Sequence, residues 1–292
     1  KVIKMKKAIF QIISCFFFAL LGLQIKKFSS NTNIESIVFF RSLLGSIIII
    51  IFVTLFKRKD ISSFAGIQNF RIFILRSIFG TCAMYFGYKA LTYISLSQAT
   101  TIGFTKVFFT IILSSIFLNE KIGKKNIVFV LIGFLGVYLI ADPRYVDINI
   151  GIYLSIFSAF AVSGGIISIV FLTKKENTLK ILFLNSLISA FIYAIIFFDK
   201  ISIDLNMSSW FYVSITCTAL LGQYFNTESY KHENASRIIL MSYSRIIFAS
   251  IFGYSFLNET LSFNDLLGFF IIVITTMVVS KKNKKIKNQG QG

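Results

Sequence analysis

The chain is dominated by apolar runs long enough to cross a lipid bilayer. Of its 292 residues, 55% are hydrophobic and 14% are charged, whereas about 25% of a typical soluble domain is charged. The apolar residues form long blocks instead of the stripe of an amphipathic helix. A membrane-spanning helix needs roughly 20 such residues. The sequence therefore predicts a polytopic membrane protein.

Ten spans are predicted, and each must be a helix because lipid offers no partners to an open backbone. They cover residues 8–25, 35–56, 70–89, 96–118, 125–141, 150–172, 179–198, 208–230, 237–257 and 264–280. The fold class is an all-α membrane protein with ten transmembrane helices.

The basic residues predict the orientation of these spans. With the N-terminus inside, 21 of the 30 Lys and Arg fall in inside segments, five fall outside and four lie within spans. Cytoplasmic loops carry such an excess, so both termini are expected in the cytoplasm. The net charge of +18 is explained by this pattern, and no nucleic acid partner is expected.

The usage of Ile, Phe, Lys and Asn is typical of AT-rich coding, which favours a bacterial inner membrane.

A segment of the chain is repeated. Residues 104–109 (FTKVFF) return 139 positions later as residues 243–248 (YSRIIF), and both runs end in FLNE, at residues 117–120 and 256–259. Five helices per half is an odd number, so the halves must be inverted. Inverted repeats place a substrate site near the bilayer midplane and support alternating access.

The predicted domains are residues 1–144 and 145–280, each a five-helix repeat, followed by a basic cytoplasmic tail at 281–292.

Several segments resemble the drug/metabolite transporter superfamily. Arg41 within residues 37–44 looks like the start of its second helix, and residues 88–99 resemble its junction between the third and fourth helices. The paired FLNE, followed by residues 132–137, is similar to the EamA-type repeat. Within the superfamily, the chain looks most like the branch that contains S-adenosylmethionine uptake carriers of intracellular bacteria. The resemblance implies a secondary transporter.

The chain departs from this family pattern in one respect. EamA-type repeats often carry proline where this chain has Lys106 and Arg245, and the only proline, Pro143, lies in a loop. The helix kinks usual in the family are therefore in question.

Lys106 and Arg245 are the main candidate site residues. Lys106 lies about twelve residues, or roughly 18 Å, from the inner end of its span. A cation at such depth costs roughly 2.5–3.5 kcal/mol on insertion scales. One interpretation is a clamp for an anionic or carboxylate-bearing solute, and the other is internal ion pairing. All the acidic residues except Glu228 fall in loops or at span ends, which favours the clamp.

Further polar and aromatic residues within spans complete the predicted site. The additional substrate-binding candidates are Tyr85, Gln98, Phe104, Tyr224 and Tyr243. Phe104 and Tyr243 lie two residues from the cations, so they are expected on different faces. A gate or ion pair is predicted from Arg41, Arg76 and Glu228, with Arg76 and Glu228 as partners at similar depth.

The sequence contains no Gly-rich phosphate loop, no metal-ligand cluster and no nucleophile with a base. No enzyme activity, cofactor or metal is expected, and the predicted partners are a small solute and the lipid bilayer. A homodimer is among the oligomeric states left open. Alternatives to an anion carrier are uptake or exchange of S-adenosylmethionine or amino acids, and a membrane scaffold without transport activity.

Overall fold

The computed structural model describes residues 2–28, 32–56, 69–120, 124–141, 150–202, 209–231 and 234–258. It also describes positions 263–264, 267–268, 270–271 and 274. Within these ranges the chain is helical and contains no strand. Most of the predicted span at 264–280 and all of the tail at 281–292 lie outside the described residues.

Eleven α-helices have both of their ends among the described residues. They are α1 (Val2–Phe28), α2 (Ile34–Phe56), α3 (Phe70–Leu91), α4 (Leu96–Gly103), α5 (Lys106–Leu118), α6 (Lys124–Ala141), α7 (Ile150–Leu172), α8 (Thr178–Ile196), α9 (Ser209–Tyr230), α10 (Ala235–Met241) and α11 (Ser244–Leu257). A short 3-10 helix, Phe198–Lys200, follows α8.

Six helical segments of the described chain are long and apolar enough to cross a membrane. They are Ile9–Lys27, Ile34–Phe56, Phe70–Leu91, Ile150–Leu172, Thr178–Ile196 and Ile238–Leu257, and each coincides with a predicted span. Two shorter apolar helices, Lys106–Leu118 and Ile127–Gly136, lie within two further predicted spans. The all-helical, multi-pass character predicted from the apolar runs is confirmed.

The bundle exposes many large apolar side chains and buries polar side chains together with an apolar core. Leu55, Ile195 and Phe256 are among the exposed large apolar residues, whereas Arg41 and Arg76 are buried. Lipid is as apolar as leucine, so leaving such residues on the outside costs little in a bilayer. This distribution is what a bilayer environment requires.

The helices of the two sequence halves pack across each other. Helix α1 contacts α9 and α11, and α7 contacts α3 and α5 in the corresponding way. Helix α2 lies against α8, which also contacts α3. The first helix of each half therefore packs against the third and fifth helices of the other half.

Two of the predicted spans are interrupted at equivalent positions. The span predicted as 96–118 divides into α4 and α5 at residues 104–105, and the span predicted as 237–257 divides into α10 and α11 at residues 242–243. Continuous helices were predicted at both places, and this prediction is wrong.

Each interruption is a tightened turn and requires no proline. The Val107 N–H donates to the Phe104 carbonyl at 2.9 Å, and the Arg245 N–H donates to the Ser242 carbonyl at 3.0 Å. These are the i→i+3 bonds of a 3-10 turn, which within a helix often marks a functional hinge. Thr105 and Tyr243 keep right-handed helical dihedral angles. Ordinary residues therefore suffice to form the turn.

The interrupted helices cross each other at their interruptions. Helix α4 packs against α11, and α10 packs against α5. The rings of Phe104 and Tyr243 lie 5.2 Å apart between them. A carbonyl at each interruption receives a side-chain hydrogen bond, from the Ser163 hydroxyl to Lys106 at 2.9 Å and from the Cys15 thiol to Ser242 at 3.7 Å.

The repeated FLNE tetrapeptide ends both α5 and α11. Asn119 and Asn258 have φ of 52° and 56°, in the left-handed region that asparagine tolerates at helix C-termini. Glu120 then binds the start of α10, accepting from the Ala235 and Ser236 N–H groups at 2.9 and 3.1 Å. It also accepts from the Ser236 hydroxyl at 2.6 Å. Glu259 lies outside the described residues.

We expect Glu120→Ala to lower the stability of the protein, because it leaves the buried N-terminus of α10 without its acceptor. Hydrogen bonds to a charged group contribute roughly 1.5–3 kcal/mol each, so a loss of about that size is expected. Ser236→Ala removes only the hydroxyl bond and should cost less. Thermal unfolding in detergent measures both variants. Equal melting temperatures for Glu120→Ala and the wild type would contradict the capping role.

Candidate functional site

A cavity of about 230 Å³ lies at the centre of the bundle, beside the two helix interruptions. Four cationic side chains line it, namely Arg41 from α2, Arg76 from α3, Lys106 from α5 and Arg245 from α11. Among its lining residues in the described chain there is no aspartate or glutamate. The cavity is therefore strongly electropositive.

Lys106 is the first residue of α5. Its ammonium lies 5.0 Å from the centre of the Phe104 ring, which contradicts the expectation that these residues occupy different faces. The tightened turn at residues 104–105 brings the side chain back over the ring. A cation over an aromatic face is stabilised by roughly 0.5–2 kcal/mol.

Arg245 is the second residue of α11 and occupies the matching place at the other interruption. Its guanidinium carbon lies 5.7 Å from the centre of the Phe18 ring of α1. Arg245 and Lys106 are close enough to interact electrostatically. Both cations also stand at the N-terminal ends of helices, where the backbone adds partial positive charge. This part of the cavity thus favours an anion on two counts.

Arg41 and Arg76 form a second pair of cations, within electrostatic reach of each other. Arg41 contacts the Met84 sulfur, and its guanidinium carbon lies 5.9 Å from the centre of the Tyr88 ring. Arg76 lies beside Gly80, where an added Cβ would come within 2.6 Å of the Arg76 Nη1 atom. Glycine at this position leaves room for the guanidinium.

Several polar atoms of the site have no hydrogen-bond partner among the described residues. They are the Nε atoms of Arg41, Arg76 and Arg245, together with Asn185 Oδ1 and Gln223 Oε1. A buried polar group without a partner costs roughly 1–3 kcal/mol, and more if it is charged. Such groups around one cavity are suited to binding a polar ligand.

Five predicted substrate-binding residues are not among the lining residues of this cavity. Tyr85 donates to Glu35 at 3.0 Å, and Gln98 caps the start of α4 together with Ser95. The Tyr243 hydroxyl donates to the Val130 carbonyl at 3.2 Å.

The two remaining members of this group also have structural contacts. Phe104 is buried beneath Lys106 and against Tyr243, and Tyr224 packs with an apolar cluster formed by α2 and α8. Lys106 and Arg245 are the members of the predicted substrate-binding set that reach the cavity.

The predicted pair of Arg76 and Glu228 does not form in the described part of the chain. Glu228 accepts a hydrogen bond from Thr178 and lies 3.6 Å from the Lys231 ammonium. Thr178 is the first residue of α8, and Lys231 directly follows α9. The Glu228 carboxylate is therefore engaged at these helix ends. Arg76 instead faces the cavity, as does Arg41, the other cation of the predicted gate.

The sequence prediction did not include the amides that line the cavity in its site. Asn185 from α8 and Gln223 and Asn226 from α9 reach it. Amide residues within apolar spans are more often contacts between helices, which is why they were not selected. The available signal was the occurrence of amide side chains inside predicted spans.

An apolar helical bundle with interrupted, crossing helices beside a central polar cavity is the architecture of a multi-pass membrane transporter. The chain belongs to the EamA-like transporter family, whose model matches residues 5–141 and 149–281. The family predicted from the sequence is thus confirmed. The two matches fall on the two halves that carry the repeated segment.

Similar proteins include transporters with different named substrates. The chain is 23% identical over 275 residues to the pseudopaline exporter CntI of Pseudomonas aeruginosa, covering 94% of this chain and 95% of the relative. It is 26% identical over 265 residues to the S-adenosylmethionine uptake transporter of Rickettsia conorii, covering 87% and 85%. It is 29% identical over 289 residues to solute carrier family 35 member G1 of mouse, covering 91% and 76%.

A solved crystal structure shares the fold. It superposes with a TM-score of 0.72 at 12% identity, covering 98% of this chain and all of that chain. This similarity establishes the fold alone. The family match, in contrast, shows that the protein is a membrane transporter of the drug/metabolite superfamily, and its substrate must be inferred from its own cavity.

Proposed function

We propose that this protein is a secondary transporter that carries a small organic anion across the bacterial inner membrane by alternating access. The substrate bears at least one carboxylate or a similar negative group. The observation that supports this is the central cavity, which four cations line without an acidic residue among its described lining.

Lys106 and Arg245 hold the negative group in this proposal. They lie at the two helix interruptions, next to each other in the cavity, and come from equivalent positions of the repeated segment. A guanidinium offers a planar fork that matches a carboxylate, and an ammonium offers a compact charge with three donors. The two therefore suit one shared anion.

Internal ion pairing, the alternative interpretation of the sequence, lacks partners here. Within the described chain, neither Lys106 nor Arg245 forms an ion pair, and the Arg245 Nε atom is buried without an acceptor. A buried charge is strongly unfavourable unless it is paired. A bound anion supplies the missing partner.

The topology proposed for the carrier is two inverted five-helix halves, residues 1–144 and 145–280, with both termini in the cytoplasm. The charge bias of the loops supports the orientation. The division into two halves is supported by the helix interruptions at matching positions. It is also supported by the packing of α1 and of α7, each against helices of the other half.

S-adenosylmethionine is the second candidate, because the Rickettsia conorii relative is named as its uptake transporter. Its sulfonium would need an aromatic face or an acid. The rings of Phe104, Phe18 and Tyr88 already lie under cations of the protein. Tyr85 and Tyr243, two of the predicted substrate-binding residues, do not line the cavity. An anion without a positive group fits this environment better.

We expect Lys106→Ala and Arg245→Ala each to reduce transport at least tenfold, because each removes a charge-assisted contact of roughly 1.5–3 kcal/mol. The measurement is counterflow in proteoliposomes with a panel of labelled mono-, di- and tricarboxylates. The matched control is Lys174→Ala, which removes an exposed cation from the turn after α7 and should leave the rate unchanged. Wild-type rates in both cavity variants would refute the clamp.

We expect a carboxylate from this panel to raise the melting temperature of the purified protein more than S-adenosylmethionine does at equal concentration. A ligand that binds the folded state stabilises it by RT ln(1 + [L]/Kd), so at equal concentration the tighter ligand gives the larger shift. A larger shift with S-adenosylmethionine, abolished by Lys106→Ala, would instead assign the site to that compound.

We expect reporter fusions at both ends of the chain to show cytoplasmic locations. The loop charges give this orientation a large bias. Alkaline phosphatase activity from a fusion at either end would place that end outside and overturn the proposed topology.

A further inference from the structure

We propose that Arg41 and Arg76 form a second anion subsite in the cavity, so that the substrate is a dianion held at both ends. This inference rests on the proposed function and adds the class of substrate to it. Lys106 and Arg245 bind one negative group, and Arg41 and Arg76 bind the other.

The second pair is buried and lacks a counter-charge within the described chain. Arg41 and Arg76 are 6% and 7% exposed, and the Nε atoms of both have no hydrogen-bond partner. The neighbours of Arg41 are a thioether and an aromatic ring, from Met84 and Tyr88. Neither neutralises a guanidinium. Two cations that repel each other in a poorly solvated place call for an anion between them.

A small recess lies beside Arg41, and Arg76 lines the cavity next to it. A recess of about 10 Å³ adjoins the cavity and is lined by Arg41, Asn185 and Gln223. This is near the smallest volume that admits a water molecule or a single oxygen atom. An added Cβ at Gly80 would come within 2.6 Å of Arg76 Nη1 and 2.8 Å of Asn185 Oδ1. Glycine at position 80 therefore leaves room for both groups.

The two cation pairs differ in the helices that carry them. Arg41 and Arg76 project from the uninterrupted helices α2 and α3, whereas Lys106 and Arg245 stand at the interruptions. One cavity contacts all four side chains. A ligand with two separated negative groups can therefore engage both pairs at once.

A zwitterion such as an amino acid fits this arrangement less well. With its carboxylate at Lys106 and Arg245, its ammonium would face Arg41 and Arg76. Like charges at about 4 Å repel by about 4 kcal/mol at an effective dielectric constant of 20. The oxygens of Asn185 and Gln223 could accept hydrogen bonds from an ammonium, but the adjacent guanidiniums oppose its approach.

The test compares dicarboxylates with monocarboxylates of equal chain length. The probes are succinate with butyrate, glutarate with pentanoate, and adipate with hexanoate, and binding to the purified full chain is measured by thermal shift titration. For at least one pair, the dicarboxylate should bind at least tenfold more tightly to the wild type. Arg41→Gln and Arg76→Gln should each remove this preference by lowering dicarboxylate affinity about tenfold more than monocarboxylate affinity.

Two further variants separate the subsites. Lys106→Gln should weaken mono- and dicarboxylates alike, because it acts at the group that both share. Arg76→Lys should restore part of the dicarboxylate preference, since it keeps the charge and loses the fork. A variant that still binds the monocarboxylate is folded, so this measurement is the folding control for each variant.

The outcomes distinguish this inference from the proposed function. Equal affinity for both members of every pair, with dependence on Lys106, would overturn the second subsite and leave the anion carrier intact. Arg41→Gln and Arg76→Gln variants that weaken both ligands equally would also overturn it. If none of the carboxylates binds or is transported, both proposals fall.

Discussion

The rest of the structure depends on the exclusion of unpaired charge from lipid. A cation in the middle of a bundle must face a wet cavity or a partner, because the bilayer offers neither water nor counter-charge. Four cations therefore converge on one central space, while large apolar side chains cover the outside. The cavity follows from this physical constraint, and the proposed substrate follows from the charge that the cavity contains.

The interrupted helices connect this cavity to the remainder of the bundle. Each interruption carries a cation and a carbonyl group that a side chain from another helix holds, Ser163 in one case and Cys15 in the other. Glu120 joins the end of α5 to the start of α10. A shift of one interrupted helix would therefore displace the other, which is the coupling that the proposed alternating access needs.

Sequence reasoning succeeded where a single chain segment determines the structure. Apolar runs predicted the spans, and the repeat with its cations predicted Lys106 and Arg245 as cavity residues.

Sequence reasoning failed where packing between distant segments determines the structure. The 3-10 turns have no proline or left-handed residue that would predict them, and the Lys106 ammonium lies over the Phe104 ring, which was expected on another face. Glu228 was assigned to Arg76 by depth alone, whereas Thr178 and Lys231 lie closer to it. No local pattern showed that Arg41 and Arg76 share one cavity.

The charge of the cavity also bears on how occupancy and movement are coupled in the proposed cycle. Closing an empty cavity around four cations removes them from water without a counter-charge, which is strongly unfavourable. A bound dianion neutralises part of that charge and supplies acceptors to the unpartnered guanidinium atoms. Closure then costs less with substrate than without it, so occupancy favours the transition through electrostatics as well as shape. Because the described lining contains no carboxylate, the substrate itself is the group that can supply this negative charge.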